Sequence, residues 1–119
     1  MTRLTDAVGA YGERVAARTL ALAGMEILDR NWRCAQGELD IVARSAALIV
    51  FCEVKTRRGR RFGEPIEAVD PVRVRRLRAA ATAWLAAHPR HRGELRFDII
   101  CVWPQRRGPA TVAHVPGAF

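Results

Sequence analysis

The sequence predicts an α/β fold whose elements follow the order αβββαβ, with a further edge strand at the end. Two segments carry apolar side chains at helical spacing, at residues 6–23 and 71–87, and the segments between and after them alternate or run apolar as strands do. The chain has 119 residues, half of them apolar, which is enough to bury a core without disulfides or a structural metal. No repeat or linker divides the sequence, so we expect one domain over residues 1–119.

The first helix is predicted from Asp6 to Ala23, with Thr5 as its N-cap and Gly24 as its stop. Its apolar stripe consists of Val8, Tyr11, Val15 and Leu22. Glu13 lies off this stripe among small side chains, where a carboxylate can approach a neighbouring sheet closely. Glu13 is therefore a candidate site residue as well as a candidate for an ordinary solvated helix position.

Three strands are predicted to follow the first helix. The first of them is short, Met25 to Asp29, and residues 31–37 are predicted to form a loop. The second, Glu38 to Arg44, alternates, with Leu39, Ile41 and Ala43 predicted on one side and Asp40 and Val42 on the other. The third, Leu48 to Thr56, is mostly apolar and is predicted to lie centrally in the sheet.

The hairpin between the second and third strands brings acidic and basic residues together. If Ala46 and Ala47 form a two-residue turn, Asp40 falls opposite Glu53, because both are equally far from the turn. Glu53 and Lys55 are two positions apart on one strand and so share a face. The hairpin therefore predicts two carboxylates and an ammonium on one face of the sheet.

The remaining elements follow a basic loop. Asp70 is predicted to cap a helix over residues 71–87, which begins with a proline at its first position. Leu95 to Trp103 alternate as a strand, and Thr111 to Val115 predict a last edge strand. Asp98 is predicted to be structural and paired with an arginine rather than catalytic.

The paired carboxylates indicate a cation site. Two carboxylates held together repel each other, and either protonation or a bound cation relieves the repulsion. The candidate metal ligands are Asp40, Glu53 and the backbone carbonyl of Val54, which are all oxygen donors. Mg²⁺ suits so sparse a set, because it keeps several waters and takes one or two protein carboxylates plus phosphate oxygens. We therefore expect Mg²⁺ as the cofactor, with Mn²⁺ as a substitute.

Lys55 is the one lysine among the 20 basic residues of the chain. Beside a phosphodiester held by the metal, it would position or deprotonate the attacking water, or neutralise charge on the phosphorane. Arginine stays protonated and so could do only the last of these. A plainer interpretation stays open, since Glu-x-Lys arises by chance and a Glu and Lys two apart on a strand can be a solvated pair.

The charge of the chain indicates a polyanionic partner. A net charge of +8 and a pI near 11.1 favour nucleic acid over a mere compositional habit, with an anionic membrane surface as a distant third alternative. The candidate phosphate contacts lie in the loop after Lys55, at Arg57, Arg58, Arg60 and Arg61. A second group on the next helix, Arg73, Arg75, Arg76 and Arg78, is spread around the helix axis and cannot all contact one ligand.

Several classes of protein are disfavoured. The three cysteines are odd in number and lack a C-x-x-C pair, which argues against a disulfide framework or a zinc knuckle. Cys52 and Cys101 are predicted core residues, and Cys34 is predicted to lie in a turn. His88 and His91 are interpreted as a helix end. The N-terminus does not resemble a signal peptide and no apolar run is long enough to span a bilayer, so we expect a cytoplasmic protein without a membrane partner.

Beyond these patterns, the chain closely resembles the bacterial YraN family over about residues 9 to 103. The motifs that carry the resemblance are Gly9-x-x-Gly12-Glu13, Arg30-Asn31-x-Arg33, Gly37-Glu38-Leu39-Asp40, Glu53-Val54-Lys55-Thr56-Arg57, Phe62-Gly63-x-Pro65, Glu67-Ala68-Val69 and Arg96-Phe97-Asp98. That family is similar to the PD-(D/E)XK superfamily, and to archaeal Holliday-junction resolvases most.

The resemblance implies a restriction-endonuclease-like αβββαβ core, with a mixed central sheet flanked by helices. It also implies that Asp40, Glu53 and Lys55 occupy the metal and catalytic positions of the superfamily, and that Glu13 is the catalytic first-helix acid of the resolvases. Two positions depart from relatives: Leu39 stands where the name of the superfamily places proline, and Arg73 where many relatives carry lysine. The resemblance to the resolvases further implies that the protein forms a homodimer.

The leading hypothesis is a magnesium-dependent endonuclease that hydrolyses phosphodiester bonds in branched or otherwise structured DNA by a metal-activated water. A second hypothesis is a non-catalytic nucleic-acid-binding module that keeps the fold and the charge. A third is a small basic scaffold that docks on a nucleoprotein partner. Divalent-ion binding separates the first from the others, and salt-sensitive DNA binding separates the second from the third.

Overall fold

The computed structural model describes residues 3–57 and 70–119. Their elements are α1 (Arg3–Leu22), β1 (Glu26–Cys34), β2 (Gly37–Ser45), β3 (Leu48–Thr56), α2 (Pro71–Ala87), β4 (Glu94–Trp103) and β5 (Thr111–Val115). The predicted α/β class and the order αβββαβ with a final strand are confirmed. No helix in the described ranges is long and apolar enough to cross a membrane.

The strands form one mixed sheet in the order β1-β2-β3-β4-β5. The pairings β1–β2, β2–β3 and β4–β5 are antiparallel, and β3–β4 is parallel. A parallel pair needs a crossover connection, and α2 lies in the segment that joins β3 to β4. β3 is therefore the central strand, as its apolar sequence predicted.

The two helices cover opposite faces of the sheet. Side chains of α1, including Ala16 and Leu20, pack on one face, whose buried residues are Ile41, Ala43, Val50, Cys52, Ile100 and Val102. Side chains of α2, including Leu77 and Trp84, pack on the other face against Leu39, Val42, Ile49, Phe51 and Phe97. Cys52 and Cys101 are buried as predicted, and Cys34 is half-buried at the end of β1.

The hairpin turn between β2 and β3 is confirmed at Ala46 and Ala47. Ser45 pairs with Leu48, and the ladder runs from there to the pair of Ile41 and Cys52. Ala46 adopts a left-handed φ of 51°, which a two-residue hairpin turn requires of a central residue. The ladder ends at the pair of Ile41 and Cys52, and the next residue of β2, Asp40, accepts a hydrogen bond through its side chain from the backbone N–H of Val54.

The prediction for β1 is wrong at its C-terminal half. The strand continues from Glu26 to Cys34, through residues 31–34 that were assigned to a loop. The register shifts by one between Ile27 and Asp29, and Asn31 has a positive φ of 51°. A bulge interrupts the two-residue alternation, so the pattern no longer indicates a strand although the pairing with β2 continues. α1 also begins earlier than predicted, at Arg3 rather than Asp6.

The predicted bounds of α2 are confirmed. The side chain of Asp70 accepts a hydrogen bond from the backbone N–H of Arg73 at 3.0 Å, and Pro71 occupies the first helical position. His88 is the C-cap, and its ring stacks on Trp84 with 4.2 Å between ring centroids. His88 therefore marks the helix end, as interpreted from the sequence.

α1 approaches the end of β3 so closely that only glycine fits at the contact. A Cβ atom on Gly12 would lie 1.7 Å from Oγ1 of Thr56. Thr56 follows Lys55 on β3, and Glu13 follows Gly12 on α1. The close contact therefore brings Glu13 to the end of the strand that carries Lys55.

Asp98 is a structural carboxylate that ties β4 to the C-terminal segment. Arg96 donates to it through Nε and Nη2, both at 2.8 Å, and the backbone N–H of Gly117 donates at 3.0 Å. Nε2 of His114 lies 2.7 Å from the second oxygen. Burial acts to raise the pKa of Asp98, but these partners outweigh it and hold the pKa below its ordinary value. The predicted pairing with an arginine is confirmed.

Gly12→Ala should destabilise the protein by about 1–3 kcal/mol, because the added methyl overlaps the side chain of Thr56. Gly9→Ala is the matched control, since nothing lies within 4 Å of a Cβ at that position of the same helix. The control should be neutral or gain up to about 1 kcal/mol from helix propensity. Urea unfolding of both variants measures the difference, and equal stabilities would contradict the close contact.

Asp98→Asn should lower the free energy of unfolding by about 2–3 kcal/mol at pH 7, because it removes a buried charge that Arg96 neutralises. The pKa of Asp98 is lower in the folded than in the unfolded protein. The ionised form of Asp98 therefore stabilises the fold fully at pH values above about 4, the pKa of an aspartate in the unfolded chain. This stabilisation is lost as the pH falls through the lower pKa that Asp98 has in the folded protein. Denaturant unfolding between pH 2 and 7 should show the gap between parent and variant closing only in acid.

Candidate functional site

The structure brings Asp40 and Glu53 together at the end of the β2–β3 hairpin. Asp40 is half-buried and accepts a hydrogen bond from the backbone N–H of Val54 at 2.8 Å. Burial, a hydrogen bond with Glu53 and the charge of Glu53 raise the pKa of Asp40 to about 8, against the lowering effect of the Val54 N–H. The raised pKa of Asp40 favours a proton held between Asp40 and the carboxylate of Glu53.

Arg73 forms a bidentate ion pair with Glu53. Its Nε donates to Oε2 at 2.5 Å and its Nη2 donates to Oε1 at 3.0 Å. Burial pushes the pKa of Glu53 up, but the hydrogen bonds and charge of Arg73, with contributions from Asp40 and Lys55, hold the pKa below its usual value. The pKa values of the two carboxylates are thus shifted in opposite directions, with that of Glu53 lowered and that of Asp40 raised.

The sequence did not predict the contact between Arg73 and Glu53. The available signal was the position of Arg73 in the first turn of α2, three residues after the N-cap Asp70. That turn faces the end of β3 only because α2 packs across the sheet.

Lys55 is half-buried and lies in the wall of a cleft at this end of the sheet. Its charge contributes to lowering the pKa of Glu53. Within residues 3–57 and 70–119, no carboxylate lies within 4.0 Å of its ammonium. Among these residues, the ammonium is therefore available to an anionic ligand.

The cleft measures about 880 Å³ and lies between α1 and the ends of β1, β2 and β3. Besides Lys55, its charged lining includes Glu13, Arg33, Glu38, Asp40 and Arg57. The structure therefore brings Glu13 into one cavity with Asp40 and Lys55. Asp40 also lines a smaller cavity of about 280 Å³ on the α2 side, together with Glu53, Arg73 and Arg76.

Glu13 is itself half-buried at the wall formed by α1. Burial raises its pKa, and the charge of Glu38 raises it further, while Arg30 and Arg33 lower it. With the side-chain amide of Asn31 turned so that its nitrogen faces the carboxylate, Asn31 donates to Oε1 of Glu13 at 3.1 Å. Asn31 and Glu38 are thus neighbours of the candidate acid that the sequence did not single out.

The oxygen donors at the hairpin fit a hard divalent cation. Residues 3–57 and 70–119 contain no group of three or more His, Cys, Asp or Glu side chains arranged to hold a metal. Asp40, Glu53 and the Val54 carbonyl would thus form a sparse ligand set, which suits an ion that keeps several waters. Arg73 uses one lone pair on each oxygen of Glu53, and each oxygen has a second.

Part of the predicted phosphate-binding group can be placed. Arg57 is exposed and lines the large cleft beside Lys55. Arg58, Arg60 and Arg61 lie outside the described residues. On α2, Arg73 contacts Glu53, whereas the guanidinium of Arg78 lies over the ring of Phe97, 4.7 Å from its centroid. The α2 arginines therefore point in different directions, as predicted.

The fold and the position of this site define an α/β protein with a restriction-endonuclease-like αβββαβ core. A model of the Uncharacterised protein family UPF0102 matches residues 12–102, and the chain belongs to this family, which is the YraN family. The resemblance seen in the sequence is thereby confirmed.

The relatives match along almost their whole length. The chain is 54% identical over 116 residues to a UPF0102 protein of Kineococcus radiotolerans, covering 97% of this chain and 95% of the relative. It is 51% identical to a UPF0102 protein of Frankia casuarinae, with 98% and 99% covered. A UPF0102 protein of Streptomyces griseus is 50% identical, with 93% and 94% covered.

Asp40→Asn should stabilise the metal-free protein as pH rises. The pKa of Asp40 is raised to about 8 in the folded protein, against about 4 in the unfolded chain. Ionisation of Asp40 therefore favours unfolding, and the resulting loss of stability grows between about pH 4 and about pH 8. Asparagine can still accept from Val54 and donate to Glu53, but it does not ionise. The gain should be at least about 1 kcal/mol at pH 8 and vanish near pH 4.

Thermal unfolding in a chelator between pH 4 and 9 measures this gain. If the variant is less stable than the parent at pH 8, a neighbouring basic side chain must stabilise the ionised form of Asp40 in the parent.

Proposed function

We propose that the protein is a cytoplasmic, metal-dependent endonuclease that hydrolyses phosphodiester bonds in nucleic acid, with branched or otherwise structured DNA as the substrate. The observation that carries this proposal is the meeting of Asp40, Glu53 and Lys55 at one end of the sheet. Two carboxylates, and an ammonium with no carboxylate within 4.0 Å among the described residues, lie beside an open cleft and suit the binding of a phosphate through a cation.

The metal ligands in this proposal are Asp40, Glu53 and the backbone carbonyl of Val54. Mg²⁺, or Mn²⁺ in its place, would polarise the phosphoryl oxygen and lower the pKa of a coordinated water. Binding of a cation here would also displace the proton that Asp40 and Glu53 share, which relieves the same repulsion.

Lys55 is the proposed catalytic cation. Its ammonium lies in the cleft wall with Asp40, so a phosphate held at the carboxylates would be within the reach of its side chain. In that position Lys55 binds a non-bridging oxygen or orients the attacking water. Glu13 reaches the same cavity from α1 and would hold water molecules from the opposite wall.

The path of the nucleic acid is proposed from charge. Arg57 lies at the cleft beside Lys55, and the other loop arginines follow it directly in the sequence. These residues would contact phosphates, which supply affinity and orientation without sequence specificity. Cutting both strands of a junction needs two sites, so a homodimer is the proposed active form.

A non-catalytic nucleic-acid-binding module is the second candidate function. The observation that favours it is the ion pair in which Arg73 engages both oxygens of Glu53. A carboxylate neutralised by arginine is a weaker metal ligand, and a protein that kept this pair permanently would bind nucleic acid without cutting it.

The test is cleavage of labelled four-way junction, flap, single-stranded and duplex DNA with Mg²⁺ or Mn²⁺. Parent protein should cut at least one substrate in a metal-dependent way, and Lys55→Ala should reduce the rate by about 100-fold or more, because it removes a charge placed at the reacting phosphate. Lys55→Arg separates the roles of Lys55, since arginine preserves the charge but cannot accept a proton. Arg18→Ala, at an exposed position of α1 outside the cleft, controls for the loss of one positive charge.

Three outcomes decide between the candidates. Equal rates for Lys55→Ala and Arg18→Ala would remove Lys55 from the mechanism. DNA binding without cleavage, unaffected by divalent ions, would support the binding module. Absence of salt-sensitive DNA binding would contradict both and support the scaffold hypothesis.

A further inference from the structure

The ion pair at Glu53 is unequal in its exposure to solvent. The side chain of Glu53 is 8% exposed, whereas that of Arg73 is 48% exposed. The carboxylate is therefore held within the protein, and the guanidinium covers it from the solvent side. Arg73 and Glu53 both line the 280 Å³ cavity on the α2 side of the sheet, which Arg76 also lines.

A divalent cation and Arg73 compete for the same carboxylate. A bidentate guanidinium is a strong partner for Glu53, and its positive charge repels a second cation that approaches the same oxygens. Removing Arg73 without a replacement cation would leave a buried charge unpaired, which is unfavourable. Either cation alone therefore neutralises Glu53 favourably, whereas the two cations together repel each other at its oxygens.

We propose that Arg73 is a latch that couples nucleic-acid binding to divalent-ion binding. Its guanidinium holds Glu53 in the ligand-free protein and transfers to a backbone phosphate when nucleic acid binds. This transfer makes the carboxylate of Glu53 available to the ion. This inference rests on the proposed function. Arg73 acts through Glu53 and is a positioning residue.

The local structure restricts this exchange to a side-chain movement. The backbone of Arg73 is held in the first turn of α2 by the N-cap Asp70, which accepts from its N–H at 3.0 Å. Carboxylate and phosphate present similar pairs of oxygens to a planar guanidinium, so arginine can move from one to the other with both hydrogen bonds kept. The half-exposed position of Arg73 gives a phosphate access to it.

The latch has a thermodynamic consequence. If nucleic acid removes Arg73 from Glu53, it must tighten ion binding, and the ion must tighten nucleic-acid binding by the same factor. We expect a factor of about ten, within the usual range for coupling between two ligands.

The first experiment is a calorimetric titration of the full chain with Mn²⁺ in the absence of nucleic acid. Arg73→Gln should bind Mn²⁺ about tenfold more tightly than the parent, because the competing cation is gone. Arg76→Gln is the matched control, with the same charge change on the same helix and in the same cavity, and it should bind like the parent. Equal or weaker binding by Arg73→Gln would overturn the latch.

The second experiment uses the parent protein, so that it does not depend on a variant that fails to fold. An oligonucleotide with phosphorothioate linkages, which resist hydrolysis, should tighten Mn²⁺ binding to the parent about tenfold. Arg73→Lys holds Glu53 through a single point, so its Mn²⁺ affinity without the oligonucleotide should lie between those of the parent and Arg73→Gln. An oligonucleotide that tightens binding equally in the parent and in the Arg73 variants would also overturn the latch.

The design separates failure of the latch from failure of the proposed function. If Asp40→Asn abolishes Mn²⁺ binding but Arg73→Gln leaves the affinity unchanged, the metal site is supported and the latch is rejected. Absence of Mn²⁺ binding in every variant, with and without the oligonucleotide, would reject both.

Discussion

The register of the β2–β3 hairpin is the constraint on which the candidate site depends. The turn at Ala46 and Ala47 aligns the two strands up to the pair of Ile41 and Cys52, and Asp40 and Glu53 follow this pair directly in their strands. A slip of one residue would turn every side chain of one strand to the other face. Residues 49–52 of β3 are buried on both faces of the sheet, so a slip would disrupt the packing against both helices. Val42 and Phe51, packed under α2, make such a slip unfavourable and so hold the carboxylates together.

Asp98 and Asp40 are contrasting carboxylates, and their difference shows what is unusual about the hairpin. Asp98 is surrounded by donors, and its pKa is lowered. Asp40 receives one backbone N–H and faces a second carboxylate, and its pKa is raised to about 8. Asp98 therefore stabilises the fold, whereas Asp40 is maintained at a cost to stability. Groups with such raised pKa values are concentrated at functional sites, because the strain is relieved when a ligand binds.

Membership of the UPF0102 family and the restriction-endonuclease-like core describe the ancestry and scaffold of the chain. Related folds host many functions, so the chemistry has to be argued from the site. Three charged groups lie in this site: an ammonium without a carboxylate partner among the described residues, a carboxylate whose pKa is raised and a second carboxylate covered by an arginine. Each of these groups would change its partner if a phosphate and a cation arrived together, which links the proposed catalysis and its proposed control to one cluster of side chains.

The sequence by itself determined the order of the elements, the caps of α2 and the register of the hairpin from Ser45 and Leu48 to Ile41 and Cys52, because each depends on residues close together in the chain. It misjudged β1, since the bulge near Leu28 breaks the alternation that indicates a strand. Only the tertiary structure decided that Arg73 covers Glu53, 20 positions away, and that Glu13 faces Asp40 across a cleft. Those contacts arise from the packing of two helices on opposite faces of the sheet, and no local pattern in the chain specifies how closely a helix approaches a strand.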